Sequence, residues 1–386
     1  MLAERTYFSL AAGAAMAFLV PSLALSPASA RESKTYVVNW FTDASYYAGE
    51  GAKSECPDGL NISSIDFYRR DLLRIGHSKE KVEEVLKDFP GEGGLTQPWV
   101  PLVMTRGNGK DNVYANPTTA PDPQIKTVKG KYAYGFNLDG RNDADDFVEA
   151  DTGEIGVDNQ MYRAMGCIRS YRALPPPGRP NQPETHWDIL RNVMTAWIVT
   201  ISSEDRLDRD GPVTVAFNRA LQKVTRDSSG LSVQAHMTFR LDPDPRTQSV
   251  MQGTLKEGVI NASPGNFRVM LDEYIASELS FDKARLRLEM KPDGKLVGLV
   301  GGYQPWYPIY YGVARVSHIA EYAASVDAPG LYYALRKMAD ADPDPKTGKN
   351  RSISMAWQLE ALPAFAIGPD GQTASATAVS PAATAR

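Results

Sequence analysis

The sequence predicts an α+β fold in which an antiparallel β-sandwich or jelly-roll-like region lies between an N-terminal helical hairpin and C-terminal helices. Three observations support this: two segments with helical spacing near the start, seven short segments with a two-residue period in the middle, and helical spacing again near the end. Consecutive alternating segments separated by turn residues are typical of antiparallel sheets. The same pattern leaves the topology of the sheet open.

The first thirty residues predict a signal peptide. Arg5 precedes an apolar run at residues 8–25, and residues 28–30, Ala-Ser-Ala, have the small side chains that a signal peptidase accepts. An uncleaved signal anchor is the alternative, but the run contains Pro21 and is shorter than a membrane span of ~20 residues. We therefore expect an exported protein, periplasmic or secreted, whose mature chain begins near residue 31 and contains no membrane span.

The N-terminal region, residues 31–174, begins with a predicted strand at 34–40, where β-branched and aromatic residues predominate. A helical hairpin follows, because apolar side chains recur every three or four positions in segments 62–75 and 79–89. Ser78 is a suitable N-cap for the second helix.

A long loop lies within this region, and a connector follows it. Residues 91–131 are rich in Gly, Pro and Asn and have no persistent period, which predicts irregular structure. Residues 175–184 contain five prolines and predict an extended connector. We place the boundary between the two regions there, although the sequence does not establish whether they are separate domains.

The second region, residues 184–368, starts with the alternating segments. The seven predicted strands are residues 195–202, 213–217, 233–241, 250–260, 266–271, 284–290 and 296–303. An Asp-Gly pair at 293–294 predicts a tight hairpin before the last strand. Helical spacing returns at 313–325 and 330–339, and segment 352–367 fits either a helix or a strand. Residues 369–386, mostly Ala, Thr, Ser and Pro, predict a disordered tail.

The two cysteines, Cys56 and Cys167, predict a disulfide. Both follow the signal peptide, and an isolated pair in an oxidising compartment is most simply bridged. Two buried free thiols are the alternative interpretation. A bridge would connect the start of the mature chain to the end of an acidic stretch that precedes Cys167.

That acidic stretch is the first candidate site. Eight carboxylates and one arginine occur between Asp139 and Asp158. Calcium prefers several oxygen ligands on a loop bent at glycines, and this stretch provides both, although its spacing matches no EF-hand. The candidate ligands for a structural calcium ion are Asp139, Asp143, Asp145, Asp146 and Asp158.

Two other interpretations of the acidic stretch stay open. Asp and Asn can simply stabilise the bends of a solvated loop, or the acids can pair with Arg163, Arg169 or Arg172. Interleaved apolar residues, such as Phe136 and Phe147, favour a packed loop. Packing would crowd the carboxylates, which must then acquire a cation or raise their pKa values.

A second acidic loop, residues 340–350, alternates Asp with Pro and is a weaker cation candidate. Pro345 stands where an EF-hand has its glycine, and Lys346 and Lys349 can neutralise the charge. The alternative is a surface turn stiffened by proline.

An aromatic segment, residues 301–312, is a candidate ligand-binding surface. Partly exposed Trp and Tyr rings stack on sugars while their polar tips bind hydroxyls. The candidate residues are Tyr303, Trp306, Tyr307 and Tyr310. The alternative is that these rings cover the open end of the core.

Composition and motifs restrict the function further. The net charge of −4 and the pI of about 5.7 argue against a nucleic-acid surface. No nucleophile elbow, zinc motif, phosphate loop or dinucleotide fingerprint occurs, and the four histidines are widely separated. We expect a non-catalytic binding or accessory protein with a carbohydrate or protein partner. The alternatives are a carbohydrate-active hydrolase or lyase and a subunit of a periplasmic complex; whether the protein is an enzyme stays open.

Overall fold

The computed structural model describes residues 32–49, 54–89, 97–176, 178–270 and 278–374, without the side chains of 184–186. The predicted signal peptide lies outside the described residues, as do residues 375–386 of the predicted tail. Residues 91–96 of the predicted long loop, residue 177 of the predicted connector and residue 271 of the predicted strand 266–271 lie outside them too.

Thirteen strands are described. They are β1 Glu32–Asp43, β2 Tyr132–Ala133, β3 Phe147–Glu149, β4 Ile155–Val157, β5 Thr195–Ser203, β6 Gly211–Lys223, β7 Thr238–Arg240, β8 Gln248–Lys256, β9 Val259–Met270, β10 Glu278–Met290, β11 Leu296–Pro305, β12 Ala341–Pro343 and β13 Asn350–Ile367.

Eight helices are described. They are α1 Ser64–Arg74, α2 Lys79–Leu86, α3 Val100–Met104, α4 Gln160–Met165, α5 Asn181–Val193, α6 Trp306–Val316, α7 His318–Ala324 and α8 Ala328–Met338. The predicted hairpin is present as α1 and α2, and the side chain of Ser78 caps α2 by accepting the N–H of Lys81. In the described part of the chain, no helix has the length and apolar character needed to cross a membrane.

The main sheet closes into an eight-stranded antiparallel barrel. Its strands follow the order β1, β5, β6, β8, β9, β10, β11, β13, and β13 pairs back with β1. At this seam Thr35 lies opposite Ala364 and Asp43 opposite Trp357. Two short strands, β12 and β7, add to the two ends of β13.

The predicted sandwich or jelly roll is therefore wrong. Alternating burial specifies a sheet with one apolar face, and a sandwich and a barrel both satisfy that pattern. The difference is made by the pairing of β1 with β13, which are far apart in the sequence. Segment 352–367, which fitted either a helix or a strand, forms the strand that closes the barrel.

Aromatic side chains fill the interior of the barrel. Phe267 contacts Phe41, Phe217 and Phe281 with ring centroids 6.2, 4.8 and 5.9 Å apart, and Trp357 lies 4.8 Å from Phe41. These rings come from five strands around the wall and belong to one buried cluster. The interior is a packed core, so ligand-binding surfaces have to be sought outside it.

Several predicted elements differ from the observed ones for local reasons. Segment 250–260 is a hairpin rather than one strand, because Glu257 and Gly258 take φ values of +51° and +81° in the turn. Segment 313–325 breaks at Ser317, whose φ is +59°. Segment 233–241 contributes only β7, and helix α5 occupies residues predicted to be an extended connector.

The predicted disulfide is confirmed. Cys56 and Cys167 are bonded, with Cα atoms 5.8 Å apart, and both are buried. Around them Phe147, Val157 and Tyr162 form a small core of their own. The bridge thus fixes the N-terminal segment against the acidic stretch and α4.

A buried ionic network joins the N-terminal helices to the C-terminal ones. Arg106, which is fully buried, donates from Nη2 to Glu321 Oε1 at 2.5 Å and to Asp327 Oδ1 at 3.3 Å. The other carboxylate oxygen of Glu321 accepts the hydroxyls of Tyr68 and Tyr114 at 2.8 and 2.5 Å. Tyr68 lies on α1, and Arg106 and Tyr114 follow α3. Glu321 lies on α7 and Asp327 follows it, so the network connects four separate segments.

Candidate functional site

The acidic stretch is packed against the outside of the barrel. Phe136 and Leu138 contact Leu299, Tyr303 and Ala356 of the barrel wall. The ring of Phe136 lies so close to Gly301 that a Cβ there would be 2.7 Å from Phe136 Cδ2. Glycine therefore permits the approach of the stretch to β11.

Of the other apolar residues in the acidic stretch, some are buried and one is exposed. Phe147 and Val157 are buried in the small core near the disulfide, whereas Ile155 is 57% exposed. Backbone pairing of Phe136 with Asp158 brings the two ends of the stretch together, with Asp158 N–H donating to Phe136 O at 2.9 Å. The loop between them is thus held at its base by packing and by hydrogen bonds.

A pocket of about 220 Å³, which we call the acidic pocket, collects the predicted calcium ligands. All five predicted aspartates line it, together with Asp340 from the second, weaker candidate loop. Arg141, Gln160, Lys337, Met338, Ala339 and Asn350 complete the lining. The structure therefore brings together two acidic segments that the sequence treats as separate candidates.

Asp158 is the most deeply placed acid of the pocket, with an exposed fraction of 5%. Its Oδ2 accepts the N–H groups of Leu138 at 2.7 Å and Asp139 at 3.4 Å. Burial raises the pKa of Asp158 from 3.8 to about 7. The charges of Asp139, Asp146 and Asp340 contribute to this rise in pKa, and the hydrogen bond from the Leu138 N–H opposes it.

Asp340 enters the pocket from the end of α8. Its Oδ1 accepts the N–H of Ser354 on β13 at 2.8 Å. Its Oδ2 is shielded from solvent and has no hydrogen-bond partner among the described residues. Burial raises the pKa of Asp340 to about 6. A buried acceptor without a donor is uncommon in folded proteins and indicates that a proton or a cation is needed there.

The more exposed acids pair within the loop. Arg141 lies 2.7 Å from Asp139 and 3.2 Å from Asp143. Asp146 accepts the N–H of Asp143, and burial raises the pKa of its carboxyl. The carboxylate of Asp145 lines the pocket while its carbonyl accepts Gln160 Nε2 at 3.2 Å.

The three arginines considered as partners for the stretch form no ion pair with its carboxylates among the described residues. Arg163 donates to the carbonyls of Val128 and Asp145 and to Gln160 Oε1, Arg169 to the carbonyl of Asn61 and Arg172 to that of Gly49. Burial lowers the pKa of Arg163 and the charges of Asp145 and Asp146 act against this, so Arg163 offsets part of the negative charge of the loop, as Arg141 does.

The carboxylates of the acidic pocket are not gathered around a single point. Among the described residues, no three His, Cys, Asp or Glu side chains are arranged as ready ligands for one metal ion. A bound cation would have to draw the loop carboxylates toward Asp158 and Asp340. The loop residues Asp143 and Asp145 are exposed, which leaves them room to move.

The four aromatic candidates are distributed over two places. Tyr303 is buried at the barrel wall, and Tyr310 is buried with its hydroxyl donating to Tyr114 O at 2.7 Å. Trp306 packs edge-on against Tyr332 of α8, with centroids 5.4 Å apart. Tyr307 alone of the four is exposed, at 51%. Their role in ligand binding stays a prediction.

Sequence reasoning missed two groups of residues. Asp340 was assigned to a weaker, separate loop, and only the fold places it beside Asp158. A groove on the barrel wall, described below, is lined by side chains from many segments and has no sequence motif. Alternation within β10 and β11 places Arg287 and Val297 on the outer face of the sheet. It does not predict the register that makes them neighbours in the groove.

No family model matches this chain, and searches of curated proteins and of solved structures found no similar protein.

Proposed function

We propose that this is an exported, periplasmic or secreted binding or accessory protein without catalysis of its own, and that the acidic pocket holds a calcium ion. The observation that carries the ion is the convergence of the buried Asp158 and the half-buried Asp340, two carboxylates with raised pKa values, of which Asp340 has a solvent-shielded oxygen without a donor. Export is supported by the sequence of residues 1–30.

Electrostatics favours a cation in this pocket. Six aspartates line it against two basic side chains, Arg141 and Lys337, and Arg141 already pairs with two of the six. Carboxylates crowded in this way either take up protons or bind a cation, and a cation satisfies several of them at once. The raised pKa values show how unfavourable the ionised pocket is without one.

Calcium fits the pocket better than magnesium does. Calcium accepts six to eight oxygen ligands in variable geometry, whereas magnesium requires a near-octahedral shell and retains water. The pocket combines carboxylates from an exposed loop with hydrogen-bonded ones at Asp158 and Asp340. Such an ion would connect the acidic stretch to the end of α8 and to β13, which is a structural role.

The first prediction concerns the thermal stability of the chain from residue 31. Calcium at about 100 times its dissociation constant should stabilise the native state by ~2.7 kcal/mol relative to excess EDTA, which raises the unfolding midpoint by on the order of 5 °C. Magnesium at the same concentration should raise it much less. Differential scanning calorimetry in the three buffers measures the effect.

Two variants locate the ion. Asp158→Asn and Asp340→Asn should each abolish most of the calcium-induced shift, because each removes a fixed ligand. Asp88→Asn is the matched control, since this acid is exposed after α2 and lies far from the pocket in the sequence. Equal midpoints of the native protein in EDTA and in calcium, or an undiminished shift in Asp340→Asn, would contradict the proposal.

The second prediction is a pH dependence that calcium removes. Without a cation, the native state keeps a proton on Asp158 up to about pH 7 and on Asp340 up to about pH 6, whereas the unfolded chain loses both near pH 4. Stability should therefore fall as the pH rises through this window. Bound calcium keeps both carboxylates ionised, so the fall should disappear. Urea unfolding at several pH values in EDTA and in calcium measures both curves.

A double variant separates the pH dependence caused by Asp158 and Asp340 from that caused by other buried acids. Asp327 also has a raised pKa, of about 6, and contributes a fall of the same sign. The double variant Asp158→Asn/Asp340→Asn removes the contribution of the pocket and leaves that of Asp327, so its stability in EDTA should vary less with pH than that of the native protein. Identical pH profiles of the two proteins would show that the pocket does not bind protons.

One observation favours a carbohydrate-active hydrolase as the alternative. A carboxyl with a pKa of about 7 in an open pocket, as at Asp158, suits a general acid. A general acid must stay protonated near neutral pH, whereas an ion ligand is ionised. Stabilisation by calcium that depends on Asp158 would therefore favour the binding protein over the hydrolase.

A further inference from the structure

A groove with a volume of about 970 Å³ lies on the outer wall of the barrel. We call it the barrel groove. Its floor is formed by β9, β10, β11 and β13, and its sides by the turn at residues 151–154 and by Arg179. None of its lining residues lines the acidic pocket, so the two sites are separate.

Strand register arranges the floor in two parallel rows of side chains. Paired residues of antiparallel strands point to the same face, and residues two positions apart share that face. One row contains Asn261, Arg287, Leu299 and Gln358; the other contains Val259, Glu289, Val297 and Glu360, and continues to Trp40 on β1. In the first row Leu299 lies between Arg287 and Gln358, and in the second Val297 lies between Glu289 and Glu360.

The basic side chains of the groove are neutralised by neighbouring acids. Lys291 lies 2.6 Å from Glu289, and Arg179 lies 3.4 Å from Glu360. Three basic and four acidic side chains line the groove in total. This balance offers no net attraction for a strongly charged ligand, and it favours an uncharged one.

Arg287 is held in place from beneath the groove. It donates to Glu149 Oε1 at 2.6 Å, and Glu149 is fully buried. The other oxygen of Glu149 accepts the N–H groups of Asp151 and Thr152 at 2.8 and 2.7 Å, which fixes the turn at the side of the groove. These contacts lower the pKa of Glu149 against the effect of burial, so the pair stays ionised and the groove is pre-organised.

Polar groups directed at a ligand are available as well. The side-chain amides of Asn261 and Gln358 line the groove and make no hydrogen bond within the described chain. Each amide can both donate and accept. The floor spans about 14 Å across four strands at ~4.8 Å per strand, which is long enough for a short chain of sugar rings.

From these observations we propose that the barrel groove binds a linear, uncharged oligosaccharide. Free amides and paired charges suit hydroxyl groups, and the half-buried Val259, Val297 and Tyr134 suit the apolar faces of sugar rings. An extended peptide would bind by adding a strand to a sheet edge. All four floor strands are paired on both sides, so no such edge is present at the groove.

This inference adds a ligand class to the proposed binding role, and it is independent of the calcium ion. The experiment is isothermal titration of the chain from residue 31 with four uncharged hexasaccharides: maltohexaose, cellohexaose, chitohexaose and xylohexaose. It is run both in EDTA and in calcium. Saturable binding of at least one hexasaccharide in both buffers is expected, whereas failure of the calcium proposal would appear only in the thermal shifts.

Variants assign the binding to the groove. Asn261→Ala and Gln358→Ala should each weaken binding about 10-fold, since each removes hydrogen bonds of ~1.4 kcal/mol to the sugar. Gln252→Ala, an exposed amide on β8 outside the groove, should leave the affinity unchanged. The proposal is overturned if no hexasaccharide binds at about 5 mM, or if the groove variants bind as tightly as the control. Binding of an uncharged Gly-Ser peptide without binding of any sugar would assign the groove to a protein partner and overturn it too.

Discussion

Replacing Arg106 with alanine is expected to lower the free energy of unfolding by about 3–5 kcal/mol, enough to unfold much of a marginally stable population. The guanidinium is fully buried and lies within 3.5 Å of an oxygen from each of three acids, Glu321, Asp327 and Asp71. Its removal takes away the guanidinium that pairs with the buried Glu321, while Asp71 and Asp327 keep the more exposed Arg70, at 2.9 and 3.6 Å. Tyr68 and Tyr114, whose rings face the guanidinium at 5.1 and 5.3 Å, lose a contact as well.

Urea denaturation followed by tryptophan fluorescence measures this change. The control is Arg351→Ala, which breaks the exposed pair with Asp342 and should cost less than about 1 kcal/mol. The double variant Arg106→Met/Glu321→Leu should be more stable than the sum of the single losses predicts, because apolar side chains replace a charge and its partner together. A cost for Arg106→Ala no larger than that for Arg351→Ala would show that the network contributes little.

Removing the disulfide is expected to have an effect of similar size. Cys56 and Cys167 are 111 positions apart, and a cross-link over a loop of this length restricts the unfolded chain strongly. The variant Cys56→Ala/Cys167→Ala should lose roughly 2–5 kcal/mol of stability. Alanine avoids placing a hydroxyl in the buried site.

Guanidinium unfolding of the native protein and of this variant, each with and without a phosphine reductant, measures the loss. The reductant should lower the midpoint of the native protein and leave that of the variant unchanged, which provides the internal control. Equal midpoints for the native and variant proteins would mean that packing of Phe147 and Tyr162 around the sulfurs is sufficient by itself.

Local features of the fold could be predicted from the sequence, and distant pairings could not. Helices α1 and α2 have strong periodicity and a cap at Ser78, so the hairpin was predictable. The turn at Glu257–Gly258 lacks the Asn-Gly or Asp-Gly signal and was missed. Closure of the barrel depends on the pairing of β1 with β13. The alternation of apolar and polar residues within a strand does not predict which strand it pairs with.

The same distinction applies to the sites. Five of the six aspartates of the acidic pocket lie within twenty residues, so their proximity was predictable from the sequence. Asp340 joins them only because α8 ends beside β13. Arg106, Glu321 and Asp327 are single charges in unrelated segments, and each is indistinguishable from a surface residue until the fold buries it.

The seam between β1 and β13 also determines when the protein can complete its fold. The strand that closes the barrel, β13, is synthesised after the other seven barrel strands, while its partner β1 is synthesised first among them. During synthesis β1 must therefore wait with an unpaired edge, which invites association with other chains. Pairing over so long a separation in sequence also makes closure slow. A chain with this topology stays open until β13 has been made, and it depends on protection of the β1 edge until then.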